Sequence, residues 1–268
     1  MMCEDLGPLG KRHRRYAVRG TDDEFIAWRP SRCEGPVPLV VYLHGASCRG
    51  DDPALILVHG DGTPPRLLDD GDLDLEALVV SPLLPKGNEW AKTMAQAARP
   101  VRVVDAVLRD DRLPRVDPTR LYATGPSCGG LGSYTLACRL AARSVCPTAK
   151  RPLDPALPPF AAVAPVCGGG SPIFAKLLAA TPIWFWHAED DVVVPVHETD
   201  ALVEALQAIN APVRPGETPP SPPHCSWMEG HNAWTPAYAR ESPLWPWLFA
   251  QSLQAPAGGA LARLNISA

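Results

Sequence analysis

Apolar runs recur along the chain, and each ends at glycine, proline or acidic residues. From "PLVVYL" onward these runs are continuous rather than alternating, which is typical of strands buried on both faces of a mostly parallel sheet. Stretches with helical character lie between them, after residue 98, after Ser127 and from residue 197. This alternation predicts an α/β fold, a doubly wound, mostly parallel sheet with flanking helices.

No internal repeat or break divides the chain, so the pattern predicts one domain. We expect residues 1–36 to form strands or an arm that packs on the sheet, residues 37–252 to form the core, and residues 253–268 to form a tail. Residues 146–159 are too rich in proline for regular structure and predict a surface insertion. Residues 211–223 leave room for at most a short edge strand.

Composition narrows the class of protein. A chain of 268 residues, 46% hydrophobic and 20% charged, suits one globular domain. The net charge of -4 provides no basic face for nucleic acid. The N-terminus lacks the apolar segment of a signal peptide, and no segment has the length and apolar character of a membrane span. With eight scattered cysteines and no C-x-x-C pair, we expect a cytoplasmic protein with reduced thiols.

The sequence "GPSCG" at 125–129 matches the G-x-S-x-G pattern of a serine nucleophile. A predicted strand ends at Thr124 and a predicted helix begins near Gly129, which is the context that gives the pattern meaning. Glycines are needed because the chain must turn sharply where side chains would clash with the strand and helix. Ser127 is therefore the candidate nucleophile, and the alternative is a structural glycine-rich turn.

A nucleophilic serine needs a base, and the base needs a carboxylate that orients it. The stretch "FWHAEDDVVVP" supplies Glu189, Asp190 and Asp191 directly after a predicted strand, and "EGHNAWTPAY" supplies His231 in a glycine-led loop. The chain order of serine, acid and histidine is the order of α/β-hydrolases rather than of the other common serine triads.

The ordered set of segments resembles the α/β-hydrolase superfamily. The resemblance is to its carboxylesterase, predicted peptidase and feruloyl-esterase-like group, which is related to dienelactone hydrolases and the phospholipase/carboxylesterase family. It covers most of residues 37–250, from "PLVVYLHGASCRGDD" to "GHNAWTPAY". The D-x-x-V-P motif of the family favours Asp191 as the acid. Its G-H-x-x-W motif favours His231 over His224 as the base.

The resemblance also implies an oxyanion hole, the pair of backbone N–H groups that stabilises a developing negative charge. The family's H-G-x motif assigns one donor to the N–H of Ala46. The residue after the nucleophile supplies the other, which is Cys128 here. We interpret the Cys128 side chain as packing, although a thiolate is intrinsically the better nucleophile.

The remaining candidates concern the pocket. Trp90 and Trp234, and also Trp227, are candidates to bind substrate, and the alternative for each is a half-buried core residue. Other histidines are expected to be structural residues with satisfied hydrogen bonds, namely His44, His59, His187 and His197. No cluster with metal-ligand spacing is present in the sequence, so we expect no metal or cofactor.

These features predict a serine hydrolase that cleaves carboxylic esters of small or aryl substrates through an acyl-enzyme. The alternatives are a peptidase or lactone hydrolase with the same residues, or a non-catalytic binding protein. Only a short helix fits between "FAAVAPVCGGG" and "TPIWFWHA", where many lipases carry a lid. The sequence therefore predicts an open site without a large lid domain.

Overall fold

The structure is a computed structural model that describes residues 2–90, 97–145, 157–209, 211–214 and 230–253. Within these ranges, one sheet contains nine strands in the order β1-β2-β3-β5-β4-β6-β7-β8-β9. The strands are β1 (Cys3–Leu9), β2 (His13–Val18), β3 (Glu24–Trp28), β4 (Val37–Tyr42), β5 (Leu78–Pro82), β6 (Val116–Pro126), β7 (Ala162–Val166), β8 (Ile183–Trp184) and β9 (Val213–Arg214).

The sheet has an antiparallel and a parallel part. Strands β1, β2 and β3 pair antiparallel with one another, and β3 continues antiparallel to β5. From β5 to β9 every pairing is parallel. All residues of β4, β5 and β7 are buried, because helices cover both faces of the sheet there. The predicted mostly parallel α/β sheet is confirmed.

Seven helices flank the sheet in the described part of the chain: α1 (Leu55–Val58), α2 (Pro64–Asp70), α3 (Ala98–Arg109), α4 (Cys128–Val145), α5 (His197–Gln207), α6 (Trp234–Tyr238) and α7 (Leu244–Phe249). Apolar residues of α3, α4 and α5 pack in one core with Leu39 and Val41 of β4. Those of α2, α6 and α7 pack in a second core with Val40 and Tyr42. Because successive side chains of β4 alternate between the two cores, the sheet is wound on both faces.

The segment between β7 and β8 is short. Between Cys167 and Pro182 the chain forms only a 3₁₀ segment, Pro172–Leu178, and no large lid. The predicted insertion at 146–159 lies mostly outside the described residues, as do 215–223 of the second proline-rich tract and nearly all of the predicted tail. No helix in the described ranges has both the length and the apolar character needed to cross a bilayer.

Candidate active site

Ser127 occupies the turn between β6 and α4. Its φ of 56° is left-handed, a conformation that a residue with a side chain rarely adopts. The surrounding backbone holds it there, because the Ser127 N–H donates to the Val166 carbonyl at 2.9 Å. In return, the Ser127 carbonyl accepts hydrogen bonds from the N–H groups of Gly130 and Leu131. The side chain is therefore presented at the carboxyl end of the central parallel strand.

Gly129 is required by close packing at the start of α4. A Cβ atom there would collide with the carbonyl oxygen of Leu43, the first residue after β4. The helix therefore begins directly against the strand next to β6, which is the reason for glycine after the serine. This contact brings the loop after β4 beside Ser127.

His231 and Asp191 complete a hydrogen-bonded chain with Ser127. Nε2 of His231 lies 3.0 Å from Oγ of Ser127, and Nδ1 lies 2.7 Å from Oδ2 of Asp191. A carboxylate can only accept, so Nδ1 carries the proton and Nε2 presents its lone pair to the Ser127 hydroxyl. The histidine can therefore take the hydroxyl proton while the carboxylate faces the imidazolium that forms.

The Asp191 carboxylate is buried and fixed by the main chain. Its Oδ1 accepts hydrogen bonds from the N–H groups of Val193 and Val194, both at 2.9 Å. The side chains of Glu189 and Asp190 are exposed instead. The structure therefore brings Asp191, and not its two acidic neighbours, to His231. The alternative base, His224, lies outside the described residues.

Gly230 explains why a glycine precedes the histidine. It has a φ of 78°, and a Cβ atom at this position would collide with the backbone of Asp190. The loop that carries His231 therefore passes directly over the loop that carries Asp191. This approach makes the short Nδ1–Oδ2 contact possible.

The two candidate oxyanion donors lie in adjacent elements. Ala46 begins a 3₁₀ turn, Ala46–Cys48, and lines the same pocket as Ser127. Cys128 is the first residue of α4, so its N–H has no acceptor inside the helix. The Cys128 thiol points elsewhere, 3.6 Å from the His44 carbonyl, and burial raises its pKa. This placement favours packing over nucleophilic attack for the thiol.

His44 is a structural residue, as its environment indicates. Its Nδ1 donates to the Gly45 carbonyl at 2.8 Å, and its Nε2 accepts the Leu84 N–H at 3.0 Å. Burial lowers the pKa of His44 to about 4. The ring is thus a neutral bridge between the loop after β4 and the segment after β5.

Of the two alternatives for Trp90, the structure favours the core residue over the substrate-binding one. Trp90 is 1% exposed, packs on Gly132 of α4, and donates from Nε1 to the His44 carbonyl at 2.9 Å. It lies behind the loop after β4 rather than in the pocket. A tryptophan that supports a loop from the core and one that lines a cavity have the same appearance in the sequence.

A pocket of about 420 Å³ opens beside Ser127 and His231. Its walls include the loop after β4, α1 and the segment 59–63. Trp234 lines it, half-buried, with its ring edge-on to His231 at a centroid distance of 5.7 Å. Its Nε1 donates to the carbonyl of Asp61 at 3.1 Å, which ties the His231 loop to the pocket wall. Trp227 lies outside the described residues.

Sequence reasoning missed three features of the site. The sequence predicts His59 and His197 as structural residues with satisfied hydrogen bonds. His59 is instead exposed and lines the pocket, and His197 is exposed on α5. His187 contacts the carboxylate of Asp191 at 3.1 Å within the loop after β8, where a spacing of four residues does not by itself predict a contact. Cys167, with a φ of 38°, places its Sγ 3.2 Å from the Ser127 nitrogen.

In the described ranges, no three His, Cys, Asp or Glu side chains are grouped so that they could hold a metal ion.

No protein-family model matches the sequence, and no curated protein matches it. Solved structures do match.

A thermostable esterase matches 93% of this chain at 26% identity, with a TM-score of 0.64. Esterase B from Lactobacillus rhamnosis matches 80% of this chain and 77% of its own length at 14% identity, with a TM-score of 0.57. Esterase Est2 from Thermogutta terrifontis matches 74% of this chain and 77% of its own length at 14% identity, with a TM-score of 0.50. The chain has the α/β-hydrolase fold.

The chain spans 63% of the length of the thermostable esterase. In α/β-hydrolases, a strained turn from strand to helix exposes the reactive serine above the sheet. The turn at Ser127 has the corresponding strand before it and helix after it. The fold predicted from the sequence is confirmed by these similarities.

Proposed function

We propose that this α/β-hydrolase is a serine hydrolase that cleaves carboxylic esters of small or aryl substrates. The observation that carries the proposal is the hydrogen-bonded chain from Ser127 through His231 to Asp191, with contacts of 3.0 and 2.7 Å. A buried carboxylate, an imidazole and a hydroxyl in this order can activate the hydroxyl for attack.

In the proposed reaction, Oγ of Ser127 attacks the ester carbonyl carbon while His231 Nε2 takes the hydroxyl proton. Asp191 holds the resulting imidazolium. When the carbon–oxygen bond to the alcohol breaks, His231 returns the proton to the leaving oxygen and an acyl-Ser127 ester remains. Water, deprotonated by His231, then attacks this ester, and His231 returns the proton to Oγ of Ser127 as the bond to the acid breaks. No metal or cofactor is needed for these steps.

The N–H groups of Ala46 and Cys128 are the proposed oxyanion hole. Both adjoin Ser127, one in the 3₁₀ turn after β4 and the other at the start of α4. Fixed donors need not reorient when the carbonyl oxygen becomes negative, and the loss of one such donor costs about 10² to 10³ in turnover. Because both are main-chain groups, side-chain substitution leaves them in place.

The pocket supports a small or aryl substrate. Its volume of about 420 Å³ is in the range of small-molecule sites, and Val58, Val193 and Trp234 give it an apolar side. Between β7 and β8, a segment that the structure describes throughout, the chain forms only a short 3₁₀ segment and no large lid. Among the similar structures, that of esterase B contains a tributyrin phosphonate inhibitor.

Peptide or lactone cleavage would use the same residues, because the three side chains do not dictate the scissile bond. A non-catalytic binding protein would have no need for a complete chain from Ser127 to Asp191. The contacts of His231 with both partners therefore weigh against it.

A substrate panel tests the proposal. Purified protein is assayed against short-chain alkyl esters, aryl esters, lactones and peptide amides, with Ser127→Ala as the blank. We expect turnover of alkyl or aryl esters by the wild type that is lost in the variant. Turnover of lactones or amides alone would replace the ester assignment, and no turnover of any substrate by folded protein would contradict the proposal.

A further inference from the structure

A second buried histidine contacts the carboxylate of Asp191. His187 follows β8 and is 2% exposed. Its Nε2 lies 3.1 Å from Oδ2 of Asp191 and 2.7 Å from the Val194 carbonyl oxygen, and its Nδ1 lies 2.7 Å from Oγ1 of Thr199. Oδ2 is the same carboxylate oxygen that His231 contacts.

The partners of His187 determine where its proton lies. Nε2 faces two oxygens that can only accept, so it carries a hydrogen in every arrangement that satisfies them. Nδ1 faces the hydroxyl of Thr199, which is also 2.7 Å from the Gly168 carbonyl oxygen and can donate to only one of the two. Whatever the state of Nδ1, the single Nε2 hydrogen of His187 is shared between the Val194 carbonyl oxygen at 2.7 Å and Oδ2 of Asp191 at 3.1 Å.

The Asp191 carboxylate consequently has four donors. Two main-chain N–H groups, of Val193 and Val194, hold Oδ1, and the two imidazoles share Oδ2. Since the main-chain donors alone keep the carboxylate in place, His187 is not needed to position it. A second donor on Oδ2 reduces the negative charge with which this oxygen can stabilise His231.

We propose that His187 tunes the basicity of His231 through Asp191. By donating to Oδ2 it takes up part of the carboxylate charge, so that the imidazolium of His231 is held less tightly than it would be by Asp191 without His187. His231 then keeps its Nε2 lone pair available to Ser127 at lower pH. This inference rests on the proposed function, and it assigns His187 a role through Asp191 rather than contact with substrate.

Other titratable groups surround this unit and are left unchanged in the test. Cys167 at the end of β7 interacts electrostatically with Asp191, and burial raises the pKa of its thiol. On α5, Glu198 lies against Gly169, beside the Thr199 that contacts His187. Asp190 is the exposed neighbour in the loop itself.

The test compares three variants with the wild type. His187→Leu removes the donor, His187→Gln keeps an amide N–H in the place of Nε2, and His197→Leu makes the same chemical change at an exposed position nearby. The measured quantity is kcat/KM for an ester substrate as a function of pH. The acid limb of this profile reports the fraction of the base that is unprotonated in the free enzyme.

For His187→Leu, we expect the acid limb to move to higher pH by about half a unit or more, because Asp191 then holds protonated His231 more tightly. KM and the plateau of kcat should change by no more than about threefold, since His187 does not line the pocket and Asp191 stays fixed. His187→Gln should return the limb close to its wild-type position, and His197→Leu should not move it. An unshifted limb in folded His187→Leu, as a purely structural histidine would give, would overturn the inference.

Proton NMR provides a readout that does not require activity. The His231 Nδ1 proton, bonded to Oδ2 at 2.7 Å, should shift further downfield in His187→Leu than in the wild type. In the wild type alone, ¹⁵N-labelled His187 should carry a proton on Nε2 from pH 5 to 9, and a bare Nε2 would overturn the inference even if the leucine variant fails to fold. If the wild type cleaves no ester but these signals are present, the proposed function fails and the tuning contact stands.

Discussion

Two buried histidines adjoin the turn at Ser127 and Cys128, and they differ in the chemistry that they can perform. His44 in the loop after β4 is fully buried, and His231 in the loop before α6 is 3% exposed. Each ring meets a tryptophan edge-on, Trp90 at 5.2 Å and Trp234 at 5.7 Å between ring centroids. Burial and aromatic packing are therefore nearly the same at the two positions.

The partners of the ring nitrogens make the difference. Both nitrogens of His44 are occupied by main-chain groups, and burial holds its pKa at about 4. His231 instead lies between a carboxylate and a hydroxyl, Asp191 and Ser127. A ring with a carboxylate on one side has a partner for its charged form, whereas a ring between peptide groups does not. Histidine chemistry in this fold is thus set by partners rather than by depth.

Substitution of the two histidine rings should give the largest difference in activity. His231→Gln should lower kcat/KM by about 10⁵ to 10⁶, because the base is lost. His44→Gln should lower it by about tenfold or less, since that ring only bridges two loops. Steady-state kinetics on both variants, with circular dichroism to verify folding, checks the pair. Comparable losses in both variants would mean that His44 takes part in the chemistry.

Substitution of the Asp191 carboxylate should have the second largest effect on activity. Asp191→Asn keeps the shape of the side chain but offers an amide where His231 needs an acceptor, so kcat should fall by about 10⁴. Asp190→Asn is the matched control one residue earlier, and its exposed side chain should leave kcat within about threefold. Full activity in Asp191→Asn would contradict the assignment of Asp191 as the acid.

The depressed pKa of His44 predicts a pH dependence of stability. An unfolded histidine binds a proton near pH 6.5, whereas folded His44 does so only near pH 4. The unfolded state therefore takes up the proton first, and as pH falls from 6.5 to 4 the contribution of His44 should lower the free energy of unfolding by about 3 kcal/mol. Urea unfolding at several pH values measures this slope. In His44→Gln the slope should be shallower, and an unchanged slope would contradict the neutral bridge.

The two tryptophans should give the smallest effects, of different kinds. Trp90→Phe loses the buried hydrogen bond to the His44 carbonyl, which should lower the free energy of unfolding by about 1 to 2 kcal/mol without changing KM. Trp234→Phe loses an exposed bond and alters the pocket wall, so KM for aryl esters should change by about two- to threefold at nearly constant stability. The reverse pattern would exchange the roles of the two residues.

The fold and the polar chain of the site could be predicted from the sequence because both leave signals that can be followed along the chain. Continuous apolar runs predicted the parallel strands, and glycines beside Ser127 and before His231 marked the close approaches that the structure contains. The order of serine, acid and histidine limited the choice of partners. The first two signals lie in neighbouring residues, and the third is an order that can be followed along the chain.

The remainder depends on contacts between distant segments. Trp90 lies behind His44 because α4 packs there, and nothing near Trp90 in the sequence indicates this. The pocket wall formed by α1 and the segment 59–63 was likewise not foreseen. His187 lies four residues before Asp191, but its second partner, Thr199, lies on the following helix. Such partners become visible only when the chain is folded.

Covalent labelling of Ser127 tests the central claim most directly. The folded protein is treated with a fluorophosphonate at neutral pH and digested, and the labelled peptide is identified by mass spectrometry. The account predicts one modified residue, Ser127, with no label in Ser127→Ala and strongly slowed labelling in His231→Gln. Folded wild-type protein that takes no label, or takes it at a residue other than Ser127, would contradict it.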